Sequence, residues 1–224
     1  LPITYSIQET MIVMKGHRNM NVQTDKQFIE LCLNTYFSKR HRVQMKLPVK
    51  IDPQDGGVPA SMVNGEVDEE GYVAWKMLPS TVTEEEITEI EQGLPARLPP
   101  LFRAYLTTQF VLDMQIINPP YFFMLPELPA DNPFQDIAFT LQAWNLLLIT
   151  GYIPFAEYQD GWGPVCFDTK QQTVDGDYAI VWFDHEHLLH ELDEGDYVSR
   201  EKVESYAQTL FPSFRVFMTE LFLR

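Results

Sequence analysis

Three histidines at short spacing, His185-x-His187-x-x-His190, are the residues of this chain best suited by type to direct chemistry, and Asp184, Glu186 and Glu191 are interleaved with them. Imidazoles and carboxylates so spaced bind zinc or related metals. If the run continues a strand, His185 and His187 share one face and Asp184 and Glu186 the other, so His190 joins them only through an immediate turn. Short His clusters are commonly incidental, and the expectation is structural or surface use with no metal bound. The carboxylates Asp160, Asp168, Asp175 and Asp177 form a second set. A glycosidase needs two carboxylates held across a sugar cleft. Here Asp160-Gly161-Trp162-Gly163 and Asp175-Gly176-Asp177 have the composition of turns, and the second is too short for a calcium loop. Cys166 lies in the apolar run Pro164-Val165-Cys166-Phe167 with no base beside it. Neither a Gly-x-Ser-x-Gly elbow nor a Gly-rich phosphate loop with Lys is present. The chain therefore reads as a non-enzyme without a cofactor. Trp162, set between two glycines, is either a lid over the core or an exposed anchor for a partner.

The elements that must position these residues centre on residues 151–186. Apolar runs at 152–155, 164–167 and 178–183 are separated by the two Gly/Asp clusters, the sequence form of antiparallel strands. Upstream, residues 3–15 alternate loosely and predict a strand. Thr24 opens a helix to about Arg42, with Phe28, Leu31, Cys32, Tyr36 and Phe37 at helical spacing and Lys39-Arg40-His41-Arg42 in its last turn. Residues 48–70 read as loop and 72–77 as a short strand. Thr83 with Glu86 forms a capping box, and Gly93 and Pro95 end that helix. Pro99-Pro100 start another, with Leu101, Phe102, Tyr105, Leu106 and Phe110 inward. Five prolines between 118 and 133 predict an irregular surface segment. Residues 134–150 predict a helix with Ile137, Leu141, Trp144 and Leu148 on one face. An acidic loop at 193–196, a helix from Ser199 to about Leu210 and a final helix over 213–223 complete the pattern.

Charge is unevenly spread over the 224 residues, whose net charge is −16. Residues 1–50 carry eight Lys/Arg against three acids, while residues 51–224 carry eight against 29. Such a surface repels nucleic acid and anionic lipid and attracts a basic partner. No apolar run reaches the length of a membrane helix, no leader pattern opens at Leu1, and the two cysteines, Cys32 and Cys166, make no disulfide framework. A reducing cytoplasm with buried free thiols is the expectation.

Two segments together resemble the SUKH superfamily, which is named for a yeast regulator of cell-wall synthesis and includes many bacterial immunity proteins. The first is TEEEITEIEQGLPARLPPLFRAYL, residues 83–106, in which Leu98-Pro99 precedes Phe102, Tyr105 and Leu106. The second carries, in order, Ile153-Pro154-Phe155-Ala156, Gly161-Trp162-Gly163, Cys166-Phe167-Asp168 and Val181-Trp182-Phe183-Asp184-His185-Glu186. The closing Ser213-Phe214-Arg215-Val216-Phe217-Met218 is similar to the family's last helix. The resemblance spans residues 72–224 and leaves residues 1–71 as a strand-helix-loop elaboration. It implies an α+β fold, a mostly antiparallel twisted sheet with helices packed to one side. It also implies a non-enzymatic protein-binding role: bacterial members neutralise a cognate toxin, often a nuclease, of polymorphic or contact-dependent systems, and the yeast relative is a regulatory scaffold.

The expectation is a cytoplasmic immunity protein that blocks a basic toxin domain, binding neither nucleic acid nor membrane directly. Residues 151–200 carry eleven acids against two Lys/Arg and form the expected binding half. Trp162 is the expected anchor, surrounded by Asp160, Asp175, Asp177, Glu191, Asp193, Glu194 and Asp196. The alternatives are a regulatory scaffold with several partners and a metal-dependent enzyme using His185 to His190.

Overall fold

The computed structural model describes residues 24–40, 46–52, 56–159, 161–192 and 198–224, except the side chains of residues 39–40 and 189–192. The strand expected at 3–15 lies outside them. Helix α1 (Asp25–Arg40) follows Thr24, whose hydroxyl accepts the Gln27 amide, and buries Phe28, Ile29, Cys32, Leu33, Tyr36 and Phe37. Leu31, expected on that face, is exposed. Strand β1 (Leu47–Pro48) pairs with β2 (Tyr72–Val73), and β3 (Leu78–Pro79) with β4 (Gln109–Phe110). Helix α2 (Glu84–Glu91) begins in the expected capping box: Thr83 Oγ1 accepts the Glu86 amide at 3.2 Å, and Glu86 accepts the Thr83 amide at 2.7 Å. Helix α3 (Pro100–Thr108) follows, and its Arg103 pins α2 through Glu84 and Glu91. It ends before Phe110, which sits in β4.

The hairpin β5 (Gln115–Asn118) and β6 (Tyr121–Met124) corrects the irregular segment expected from the prolines. Pro119 and Pro120, joined by a cis peptide, form its two-residue turn, and Pro126 and Pro129 lie beyond it, so no proline interrupts the ladder. Helices α4 (Gln135–Ala143) and α5 (Asn145–Leu148) then lead into β7 (Tyr152–Tyr158), β8 (Pro164–Gln172) and β9 (Tyr178–Trp182), the three expected strands. Helices α6 (His185–Leu192) and α7 (Arg200–Glu204) follow. Ser199 caps α7 as expected, but the helix stops there and Gln208–Phe211 forms β10, a second correction. Pairing the outer edge of β9 satisfies backbone groups that would otherwise stand open, and that gain overrides local helical preference. Helix α8 (Phe214–Met218) runs into a π-helical turn at Thr219–Leu223.

One antiparallel sheet, ordered β10-β9-β8-β7-β6-β5, joins these strands into an α+β fold. Because side chains alternate along a strand, its two faces carry different residues. Ile153, Phe155, Val165, Phe167, Ile180 and Trp182 share the large core with residues of α1, α3 and α8. Phe155 stacks on Phe167 at 4.1 Å, and Phe102 and Phe214 meet the pair edge-on. Burying each such ring contributes about 2–3 kcal/mol. Tyr152, Cys166, Val181 and Phe183 build a smaller cluster with Leu147, Leu188 and Val203 from α5, α6 and α7. Helix α1 belongs to the large core: its Tyr36 donates to the Gln115 carbonyl at 2.8 Å and packs on Phe222. No helix among the described residues is long and apolar enough to cross a membrane.

Candidate protein-binding site

The turn between β7 and β8 presents Trp162, which is 56% exposed and so does not serve as a lid over the core. Backbone hydrogen bonds on both sides hold the residue in place. Gln159 and Gly161 adopt left-handed conformations, with φ of 48° and 88°. The Trp162 amide donates to the Tyr158 carbonyl at 3.0 Å, and the Tyr158 amide donates to the Gly163 carbonyl at 3.0 Å. Gly163, at φ 139°, lies so close to the end of β9 that a Cβ would overlap the Phe183 carbonyl oxygen. The Trp162 carbonyl accepts the His185 amide at 3.0 Å, one of the orphan donors at the start of α6. Backbone hydrogen bonds thus join the turn to the helix terminus.

Asp184 makes the chain helical here. Its Oδ1 accepts the Glu186 amide at 2.9 Å and its carbonyl accepts the Leu188 amide at 3.0 Å. The condition of a strand continuing through residues 184–187 is therefore not met. On a helix His185 and His187 point about 200° apart, so they share no face. His187 Nδ1 instead lies 3.9 Å from Asp184 Oδ2, while the His190 side chain lies outside the described residues. Trp162, Asp184, His185 and Glu186 line a hollow of about 260 Å³. Among the described residues, Asp184 and Glu186 are therefore the acids that the structure brings beside Trp162. Sequence reasoning weighed them only as metal ligands; an Asp ahead of a Glu-bearing first turn was the helix-start signal that would have found them.

The other expected acids separate into groups. Asp160 adjoins the turn but lies outside the described residues, as do Asp193, Glu194 and Asp196. Glu191 is on α6, six residues and about 9 Å of helix rise beyond His185, its side chain also outside the description. Asp175 is exposed on the β8–β9 turn, at the far end of β8, whose nine residues put it roughly 27 Å from Trp162. Asp177 is 8% exposed and structural: its carboxylate accepts the Tyr178 amide at 2.8 Å and, at 3.2 Å, the Arg215 amide in the first turn of α8. The structure does not bring Asp175 and Asp177 to Trp162.

The remaining chemical candidates are absorbed by the fold. Asp168, 1% exposed, receives two 2.7 Å hydrogen bonds from Arg200 Nη2, and Arg200 is itself 7% exposed. Arg200 Nη1 donates to the Thr150 carbonyl at 3.2 Å, and the guanidinium lies 3.8 Å from the Tyr152 ring centre. The pair ties α7 to β8, and the bond from Arg200 to the Thr150 carbonyl ties it to the start of β7 as well. Burial pushes the Cys166 thiol well up and the Cys32 thiol to about 12, so neither is a thiolate nucleophile at neutral pH.

A model of the SMI1 / KNR4 family (SUKH-1) matches residues 81–220, well over half of the chain. The chain belongs to that family. The SUKH-1 match runs from just before α2 into the final π-helical turn and includes the Trp162 turn, α6 and the Asp168–Arg200 pair. Helix α1 and strands β1, β2 and β3 precede it. A search of curated proteins returned no match.

Proposed function

We infer that this SUKH-1 protein is a cytoplasmic immunity protein that docks a basic toxin domain on the Trp162 end of the sheet. The exposure of Trp162, held by backbone hydrogen bonds beside Asp184 and Glu186, carries the reading. An aromatic ring on a turn held by backbone hydrogen bonds loses little conformational freedom on binding, which is the property of an interface anchor. The surrounding acids speed encounter with a basic surface, and a nuclease is basic where it holds phosphates. Occupying that groove blocks the substrate by steric exclusion, with no reaction by the immunity protein. Asp160 in the β7–β8 turn, with Glu191 of α6 and Asp193, Glu194 and Asp196 after it in sequence, is proposed to extend the rim. Asp175, at the other end of β8, is proposed as a separate acidic point outside this contact. Residues 1–71 are proposed to elaborate the family core, with α1 locked onto it.

The test is titration calorimetry against the toxin domain encoded beside this chain's gene. Tight one-to-one binding that Trp162→Ala and Asp184→Lys/Glu186→Lys both weaken supports the reading. Binding indifferent to all three changes overturns it. Several unrelated partners and no neighbouring toxin gene would support the regulatory-scaffold reading instead.

A further inference from the structure

We propose that the cavity between the start of α1, helix α3 and the β8–β9 turn binds a small organic anion, its phosphate or carboxylate held by Lys26 and Arg97. At about 580 Å³ the cavity has the capacity of a small-molecule site. Lys26, Arg97 and Arg103 all line it, in a chain where 32 acids face 16 Lys/Arg. Arg103 is taken up by Glu84 and, at 2.6 Å, by Glu91. Lys26 and Arg97 differ from it: both are exposed, and neither has an acid partner among the described residues. Lys26 Nζ donates to the Thr107 carbonyl at 3.1 Å, which fixes the ammonium against the end of α3 and leaves two of its three donors for a ligand. Arg97, on the link between α2 and α3, offers the planar fork that matches a phosphate or a carboxylate.

The acids at the cavity are already engaged. Asp25 accepts from Arg215, and Glu84 from Arg103. Asp175 and Asp177 line a smaller neighbouring hollow, which shares Asp25 and Pro100 with this one. The two cations without acid partners therefore set the charge inside. The chain as a whole repels anions at a distance, but salt screens that field beyond about 10 Å, while a contact with a cation at about 4 Å is screened far less. Leu98, Pro100 and Ala104 supply an apolar wall, so the fitting ligand has an organic body as well as a charged group. The cavity is also a seam. Thr24, Asp25 and Lys26 precede the residues that match the family, and the rest of the lining lies within the match. Helix α1 thus completes a site that the family core alone would leave open. The site adjoins the β8–β9 turn, at the opposite end of β8 from Trp162, and is independent of the toxin reading.

The experiment is a titration of the whole chain followed by NMR amide shifts, with naphthyl phosphate, naphthoate and inorganic phosphate as the probes. Saturable binding of either naphthyl compound is expected, with shifts at Lys26, Arg97 and Gly176 and none at Trp162. The tighter of the two tells a phosphate site from a carboxylate site. Arg97→Ala is expected to raise the dissociation constant roughly tenfold or more, the loss of a charge-assisted hydrogen bond. The Arg97 side chain is exposed and bonds nothing among the described residues, so this variant keeps the fold. Lys26→Met, which also gives up the Thr107 bond, is the second variant. Bound probe should slow hydrogen exchange in α1, since the complete site exists only with α1 docked. Failure of both naphthyl compounds to bind at millimolar concentration overturns the proposal. Binding unaltered by both variants, or shifts centred away from this cavity, also overturns it. Inorganic phosphate binding as tightly as naphthyl phosphate overturns the assignment of an organic ligand.

Discussion

Arg200→Met removes the cation of the buried pair while keeping an apolar stem over Tyr152. It leaves the Asp168 carboxylate buried, still accepting from the Lys170 amide at 3.0 Å and from Gln171 Nε2 at 3.0 Å. Breaking a buried, hydrogen-bonded pair on one side costs about 3–5 kcal/mol. The geometry favours the full range: both guanidinium bonds to Asp168 are 2.7 Å, and the Thr150 carbonyl also loses its donor. The more open contact from Nε to Glu204, at 3.6 Å, adds little, since Glu204 is solvent-exposed. For a chain of this length the expected fall in Tm is roughly 6–20 °C. Urea unfolding followed by circular dichroism measures the free energy directly. A double change, Asp168→Asn with Arg200→Met, should recover part of the loss, because no charge is then left buried. A cost below about 1 kcal/mol for Arg200→Met, or a double variant no better than the single one, would refute the account of this pair.

Burial, reinforced by Asp136, raises the Glu127 carboxyl from 4.5 to about 7. A raised folded-state value means that its contribution to stability is fully present below about pH 4.5 and is lost as pH rises toward 7, on the order of 3 kcal/mol. Glu127→Gln keeps an acceptor for the Asp113 amide and should flatten stability across that window; an unchanged slope in denaturation from pH 4.5 to 8 would contradict it. Gly163→Ala forces a Cβ into the Phe183 carbonyl at φ 139° and should cost at least about 1–3 kcal/mol by denaturation while loosening the Trp162 turn, seen as line broadening of its indole resonance.

Much of the fold was legible because local and tertiary preferences agree. The Thr83 capping box, the Pro100 helix start and the three strands between Tyr152 and Trp182 each carry their own signal in neighbouring residues. Where tertiary pairing decides, the sequence was opaque. Strand β10 exists because β9 has a free edge, and β5–β6 is a hairpin because its prolines fall in and after the turn. The candidate site shows the same division. Trp162 stood out as an aromatic between glycines, and the structure shows it exposed. Its acidic neighbours were only partly legible, because sequence distance does not reveal that β8 carries Asp175 to the opposite end of the sheet. Asp177 looks the same as Asp175 in sequence, and only the packing of α8 shows it accepting the Arg215 amide.

The central claim is that an exposed aromatic in an acidic setting holds a basic toxin domain. Its most direct test is the dissociation constant of that complex, measured by calorimetry for wild type and Trp162→Ala at two salt concentrations. Trp162→Ala should weaken binding on the order of thirtyfold or more, the loss of about 2 kcal/mol or more that marks an anchor residue. Wild-type affinity should fall as salt rises, because matched charges are screened. An affinity that neither the substitution nor the salt changes would contradict the account.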